Sequence, residues 1–163
     1  MNKRKLIAVA VFFVIIMIAI PPCCYAQEYS PVQWSYGVKK VGPQEYEVHI
    51  TGTLQPNWHT YSQHTPAGGP LATKITFARN PVITFSGPVK EVGDLQETYD
   101  QNFNVNVEYF NDKIELIQKV VLKSPVKVVV AGELEYMACD DHQCLPPKDV
   151  KFSVPIGSQG VGL

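Results

Sequence analysis

Residues 45–53 read Glu45-Tyr46-Glu47-Val48-His49-Ile50-Thr51-Gly52-Thr53, an alternation of polar and apolar side chains that decides the fold. A period of two places Tyr46, Val48 and Ile50 on one face of an extended strand and Glu45, Glu47, His49 and Thr51 on the other. The period recurs downstream. In 113–122, Ile114, Leu116, Val120 and Leu122 take one face, and in 126–139, Val126, Val128, Val130, Leu134, Tyr136 and Ala138 share one parity. Turn formers lie between the runs: Val41-Gly42-Pro43, Gln55-Pro56-Asn57, Ser86-Gly87-Pro88, Asn111-Asp112 and Lys123-Ser124-Pro125. Proline at such joints breaks helices but suits the loops of a sandwich. No stretch reads as a long helix, an internal repeat, a low-complexity tract or a second domain. The pattern predicts an all-β protein, an antiparallel β-sandwich.

Two stretches depart from a simple meander. Residues 61–71 (YSQHTPAGGPL) are rich in Gly, Pro and polar side chains. Residues 92–104 are acidic and carry Asp94, Glu97, Tyr99, Asp100 and Phe103. Both read as long loops, which serve either function or variable surface.

The beginning of the chain has a different character. Asn2-Lys3-Arg4-Lys5 is a basic head, Leu6 to Ile20 is an unbroken apolar run, and Cys24-Tyr25-Ala26 ends it before Gln27-Glu28. This is the form of a secretory signal peptide cleaved after Ala26, leaving residues 27–163 as one exported domain. The apolar run is short of the ~20 residues that span a bilayer. A lipid-modified Cys23 or Cys24 is the alternative, and with it membrane association, although Pro21 and Pro22 fit a lipobox poorly. Cleavage removes Lys3, Arg4 and Lys5, so the domain is more acidic than the whole chain's formal charge of −1. An acidic domain without basic clusters speaks against nucleic acid or anionic lipid as a partner. Two of the four cysteines leave with the signal, and the remaining pair faces an oxidising compartment.

That pair sits in Glu133-Leu-Glu-Tyr-Met-Ala-Cys139-Asp140-Asp141-His142-Gln143-Cys144-Leu145-Pro146-Pro147-Lys148. A strand runs into Cys139, and a short polar turn returns the chain at Cys144. Strand parity groups Cys139 with Glu133, Glu135 and Met137, turned from the deepest core unless a bulge resets the register. Three readings compete. A hairpin staple is the usual fate of two exported cysteines, yet so short a loop gains only about 2 kcal/mol. A metal site of Cys139, Cys144 and His142 has too wide a gap for a knuckle and lacks a second ligand pair. A redox-active pair would alternate between dithiol and disulfide. Spacing alone does not choose between staple and redox pair. Of the other histidines, His49 lies on the polar parity of its strand, whereas His59 and His64 flank a loop. No Ser-His-Asp arrangement or phosphate loop is present, and no cofactor is expected.

The run Cys139-Asp-Asp-His-Gln-Cys144-Leu-Pro146-Pro147 resembles the active hairpin of the N-terminal periplasmic domain of the DsbD thiol–disulfide interchange family. Trp58-His59-Thr60-Tyr61-Ser62 followed by Gly68-Gly69-Pro70, and Phe103 through Lys113 (FNVNVEYFNDK), are similar to further segments of that domain. The resemblance implies an immunoglobulin-like sandwich acting as a protein-disulfide reductase component. It implies that Cys139 and Cys144 are the exchanging cysteines, with Cys144 favoured by position for the mixed disulfide. Phe103 resembles the cap-loop aromatic that shields the pair, with Tyr99 a second candidate; ordinary edge packing is the alternative for both. Asp140 and Asp141 should raise the thiol pKa, and His142 is either a nearby positive charge below its pKa or a solvated turn histidine. Full-length members of the family add a membrane domain and a thioredoxin-like domain. Acting alone, this domain would need a thioredoxin-like domain or membrane reductase as donor in trans, and a periplasmic disulfide protein as acceptor. The competing expectation is a secreted binding module with an inert disulfide, presenting 61–71 and 92–104 to a ligand.

Overall fold

The alternating runs become strands because each can bury one face and hydrate the other. The computed structural model describes residues 29–157 apart from Asn102. The expected signal peptide, with Cys23 and Cys24, lies outside the described residues. The strands are β1 (Val32–Lys40), β2 (Glu45–Leu54), β3 (His59–Tyr61), β4 (Lys74–Phe77), β5 (Ile83–Asp100), β6 (Val105–Leu122), β7 (Val128–Tyr136), β8 (Ala138–Cys139) and β9 (Lys148–Ile156). One sheet runs β1-β2-β6-β3-β8, with β5 along the other edge of β6; the second runs β4-β7-β9. Every pairing is antiparallel. This is the immunoglobulin-like β-sandwich that the sequence predicted.

The main core lies between the sheets. Tyr46, Val48 and Ile50 of β2 and Ile114, Leu116, Val120 and Leu122 of β6 meet Val130, Leu134 and Tyr136 of β7 and Phe152, Val154 and Ile156 of β9. These are the parities read from the sequence, with one exception: Val126 precedes β7 and is 42% exposed. His49, expected on the surface, is half-buried, its Nδ1 2.9 Å from Glu115 Oε1 across the β2–β6 pair. Proline 155 interrupts no ladder, since β9 is an edge strand.

Three expectations about joints need correcting. Ser86-Gly87-Pro88 is not a turn but a bulge within β5, where the register jumps between Ser86 and Lys90. Asn111-Asp112 is likewise internal to β6. There Asp112 takes φ 54°, and β5 slips in register opposite it, between Gly93 and Leu95. Residues 92–104 are not a long loop: β5 and β6 continue to Asp100 and Val105, so this segment is the outer half of a hairpin with a short tip. The same small and turn-forming residues serve turns and bulges alike, which is why the local sequence misleads here.

The first bulge explains a buried polar residue. Gln118 occupies the core parity of β6 and is 3% exposed. Its amide nitrogen donates to the Lys119 carbonyl at 2.9 Å and, at the bulge, to the carbonyls of Ser86 and Gly87, each at 3.3 Å. A buried amide needs such partners.

Close packing of neighbouring strands within the smaller sheet also fixes a glycine. A Cβ on Gly132 would stand 2.6 Å from the Phe152 ring and 2.6 Å from the Thr76 carbonyl oxygen, a backbone atom that cannot swing aside. Gly132→Ala is therefore expected to destabilise the domain by about 1–3 kcal/mol through overpacking. Gly37→Ala, whose added carbon meets nothing nearer than 4.0 Å, should be close to neutral. Urea unfolding of the two variants beside the parent checks the contrast.

Candidate active site

The site begins where the chain changes sheets. β7 ends at Tyr136 in the smaller sheet, and Ala138–Cys139 then pair with Thr60 and His59 of β3 in the larger one. Thr60 Oγ1 donates to the Met137 carbonyl at 2.9 Å and holds the crossing point. Ala138 stays in the main core. Cys139 turns from it, as the parity required, but it does not reach solvent. It is 1% exposed and lies in a second cluster with Tyr61 and Val107, flanked by Val105, Tyr109 and Met137.

The turn that follows is fixed by its own residues. Leu145 N donates to Ala138 O and Asp140 N to Gln143 O, both at 2.9 Å, so Cys139 and Cys144 face each other as an isolated antiparallel bridge. Their sulfurs form a disulfide, with Cα atoms 4.1 Å apart. Asp140 Oδ1 accepts the amides of His142 and Gln143, each at 2.8 Å. Those backbone hydrogen bonds, the His142 amide first, hold its carboxyl below the ordinary value. Asp140 thus shapes the turn as an Asx motif. His142 is exposed on the turn. Cys144 is exposed too, so the two sulfurs of one bond have opposite surroundings.

Beside the hairpin is a cleft of about 550 Å³, walled by His59, Tyr61, Val107 and Tyr109 and rimmed by Asp100, Asp112 and Asp141. His59 and Tyr61 of β3, and Val107 and Tyr109 of β6, belong to the outward parity of the larger sheet. The His59 ring meets Tyr61 edge-on at 5.3 Å and Tyr109 at 5.0 Å, and its Nε2 is 3.2 Å from Tyr61 Oη. Burial pushes the His59 imidazole below its ordinary value, while Asp141, Asp140 and Asp100 pull the other way. Burial, with Asp100 and Tyr109, pushes the Tyr61 phenol up to about 12.

Of the residues singled out from the sequence, Cys139, Cys144, Asp140, Asp141 and His142 come together in the hairpin, with Asp141 also on the cleft. Phe103 and Tyr99 stand on the β5–β6 tip, 40% and 57% exposed. The apolar side chains packed on the Cys139 cluster are Val105, Tyr109 and Met137. The sequence reading left out Tyr61, Val107 and Tyr109. Their signal was a second apolar stripe, Val105-x-Val107-x-Tyr109, on the parity opposite Phe110 and Ile114.

Of the loop expected over 61–71, Tyr61 belongs to β3, and the rest is an irregular segment that is secured against the sheet. Glu91 accepts from Ser62 Oγ and from Gln63 N, both at 2.7 Å, and Thr65 Oγ1 donates to Glu108 O at 2.9 Å. Ser62, Thr65 and Thr73 are buried beneath it. The loop is thus tied at its start to β5 and β6 and at Thr73 back to the Tyr61 carbonyl of β3.

No curated protein matches the chain. Among solved structures it is similar to the DsbD N-terminal domain of Neisseria meningitidis in its reduced form, with 13% identity, TM-score 0.53, and coverage of 87% of this chain and 94% of that one. The N-terminal periplasmic domain of ScsB from Proteus mirabilis gives 14% identity and TM-score 0.54, covering 79% of this chain and 47% of that one. The complex between the DsbD N-terminal and PilB N-terminal domains of Neisseria meningitidis gives 13% identity and TM-score 0.51, covering 83% and 86%. At such identities the likeness establishes the fold. Residues 29–155, which take in both sheets and the cysteine hairpin, match the family described as thiol:disulfide interchange protein DsbD, N-terminal, and the chain belongs to that family.

Proposed function

We propose that this is a periplasmic thiol–disulfide exchange domain in which Cys144 forms the mixed disulfide and Cys139 resolves it. The observation that carries the assignment of roles is the unequal burial of one disulfide: Cys144 is open to a partner, whereas Cys139 lies in its own apolar cluster. In the reducing direction, the Cys144 thiolate attacks a partner disulfide and one partner sulfur leaves. Cys139 then attacks Cys144, so that two electrons pass to the partner and the Cys139–Cys144 bond re-forms.

Membership of the family supports the exchange chemistry, and the periplasmic ScsB relative supports an exported location. The solved DsbD–PilB complex supports other thiol–disulfide proteins as partners. The donor is a thioredoxin-like domain or membrane reductase, and the acceptor is a periplasmic disulfide protein. The family resemblance supports Phe103, with Tyr99, as the hairpin-tip aromatics that would shield the pair between partners; in this structure both stand exposed and neither packs on the Cys139 cluster. Residues 27–163 constitute the working domain. Asp140 and Asp141 flank Cys139 with negative charge, which disfavours free thiolate and keeps the pair slow toward unselected disulfides.

Cys139→Ser should trap a mixed disulfide with a thioredoxin-like protein, visible on a non-reducing gel, and Cys144→Ser should trap none. The reverse pattern would exchange the two roles. The parent pair should equilibrate at a potential above about −300 mV with the fold intact after reduction. A much lower potential, with the fold lost on reduction, would make the bond a staple and overturn the proposal. Phe103→Ala should speed reduction by dithiothreitol several-fold; an unchanged rate would leave Phe103 as edge packing.

A further inference from the structure

We infer that His59 is the proton acceptor for Cys139 when Cys139 resolves the mixed disulfide. The inference rests on the exchange reading above and names the base for its second step.

The geometry comes from the β3–β8 ladder. His59 and Cys139 are direct cross-strand partners, and such partners project from the same face of a sheet with Cβ atoms about 4.5–5.5 Å apart. That face carries the second cluster, away from the main core. Cys139 has a need that Cys144 lacks. Only a thiolate attacks a disulfide, and a thiol buried among Tyr61 and Val107 beside two carboxylates holds its proton. Hydroxide or bulk water has poor access to a sulfur that is 1% exposed. The proton must therefore go to a neighbouring side chain.

The groups around His59 leave few acceptors. From the hairpin, Asp140 is engaged by two amides and is a weak base. Asp141, also from the hairpin, and Asp112 of β6 lie on the cleft rim, and Asp100 of β5 acts on both His59 and Tyr61. Tyr61 and Tyr109 are phenols, and Tyr61 keeps its proton far above neutrality. The imidazole is the base whose ordinary range lies near neutral pH, and its burial leaves it neutral there, ready to accept. Once protonated, it faces Asp100, Asp140 and Asp141, which stabilise the cation. Its partner Tyr61 Oη, at 3.2 Å from Nε2, fixes the ring.

The step balances simply. Cys139 S–H gives its proton to neutral His59, and the resulting thiolate bonds to Cys144 Sγ. The Cys144–partner bond breaks, the partner leaves as a thiolate, and the imidazolium releases the proton to that thiolate or to water.

Stopped-flow reaction of the reduced full-length domain with the chromogenic disulfide dithiobis-nitrobenzoate separates the two steps. One nitrobenzoate thiolate is released as Cys144 attacks, and a second as Cys139 resolves. In the parent, the second phase should rise with pH through the imidazole titration, at or below the ordinary 6.5, and then level. His59→Gln should leave the first phase unchanged and slow the second on the order of 100-fold at neutral pH. Its profile should lose the plateau and climb about tenfold per pH unit with the thiol's own ionisation. Added imidazole should restore the second phase of His59→Ala, which a purely structural role would not allow. His49→Gln, on β2 outside the cleft, should change neither phase. A second phase unaffected by His59→Gln, or a loss that imidazole does not rescue, would overturn the inference while leaving the exchange function standing. Failure of the parent to release two equivalents would instead refute the exchange reading itself.

Discussion

Everything at the functional end depends on the chain crossing between sheets at Met137. A strand that ended a sandwich edge with its polar backbone unpaired would be costly to bury. Here the crossing is satisfied within two residues. Thr60 takes the Met137 carbonyl into a hydrogen bond, β8 pairs with β3, and the Leu145 amide closes on Ala138. The crossing preserves strand parity, so Tyr136 and Ala138 stay in the main core while Cys139 is delivered to the far face of the larger sheet. It also converts a residue distant in sequence, His59, into the cross-strand neighbour of a cysteine.

The consequence is a molecule with two apolar compartments of unequal duty. The main core between the sheets holds nearly all the large buried side chains. The second cluster, Tyr61, Val107 and Cys139, is small and sits outside that sandwich. Opening the disulfide would remove a short loop closure within the small cluster, whereas the inter-sheet packing rests on other side chains. Stability and the cysteine pair thus draw on different contacts, which is the physical ground for expecting the fold to survive reduction. The kink of β6 at Asp112 serves the same division: β6 pairs with β2 beyond it and with β3 before it, so the outer half of the hairpin follows the site rather than the core.

Much of this was legible in the sequence where one face meets the core and the other meets water. Tyr46, Val48 and Ile50, or Ile114 and Leu116, are unambiguous because burial sorts them by parity. The cysteine hairpin was legible for a different reason: two cysteines across a short polar turn mark a disulfide, while only the family resemblance of the Cys-to-Pro-Pro run chose exchange over a staple. Residues 92–104 were misread because that arm of the hairpin is largely exposed, and a strand wet on both faces has no period to show. Gly87-Pro88 and Asn111-Asp112 were misread because bulges and turns call for the same residues. Gln118 gave no warning, since two of the carbonyls that accept its buried amide lie at a bulge on another strand. The cleft was only half legible. Val105, Val107 and Tyr109 form a visible second stripe, but nothing local says that His59 and Cys139 will be paired.

That pairing bears on how an acidic site can perform thiol chemistry at all. Carboxylates next to a thiol oppose its ionisation, so Asp140 and Asp141 would, taken alone, make the hairpin a poor nucleophile. Yet the same charges favour the protonated form of an imidazole. A carboxylate-rich surround therefore penalises a free thiolate while rewarding transfer of its proton to a histidine, because the ion pair so formed is less negative than the lone thiolate beside two aspartates. The penalty suppresses exchange with disulfides met at random. The reward serves exchange when Cys139 has a target in line, that is, when a partner sulfur is already bonded to Cys144. Selectivity and turnover then come from one set of charges, provided the histidine is held where the β3–β8 register puts it.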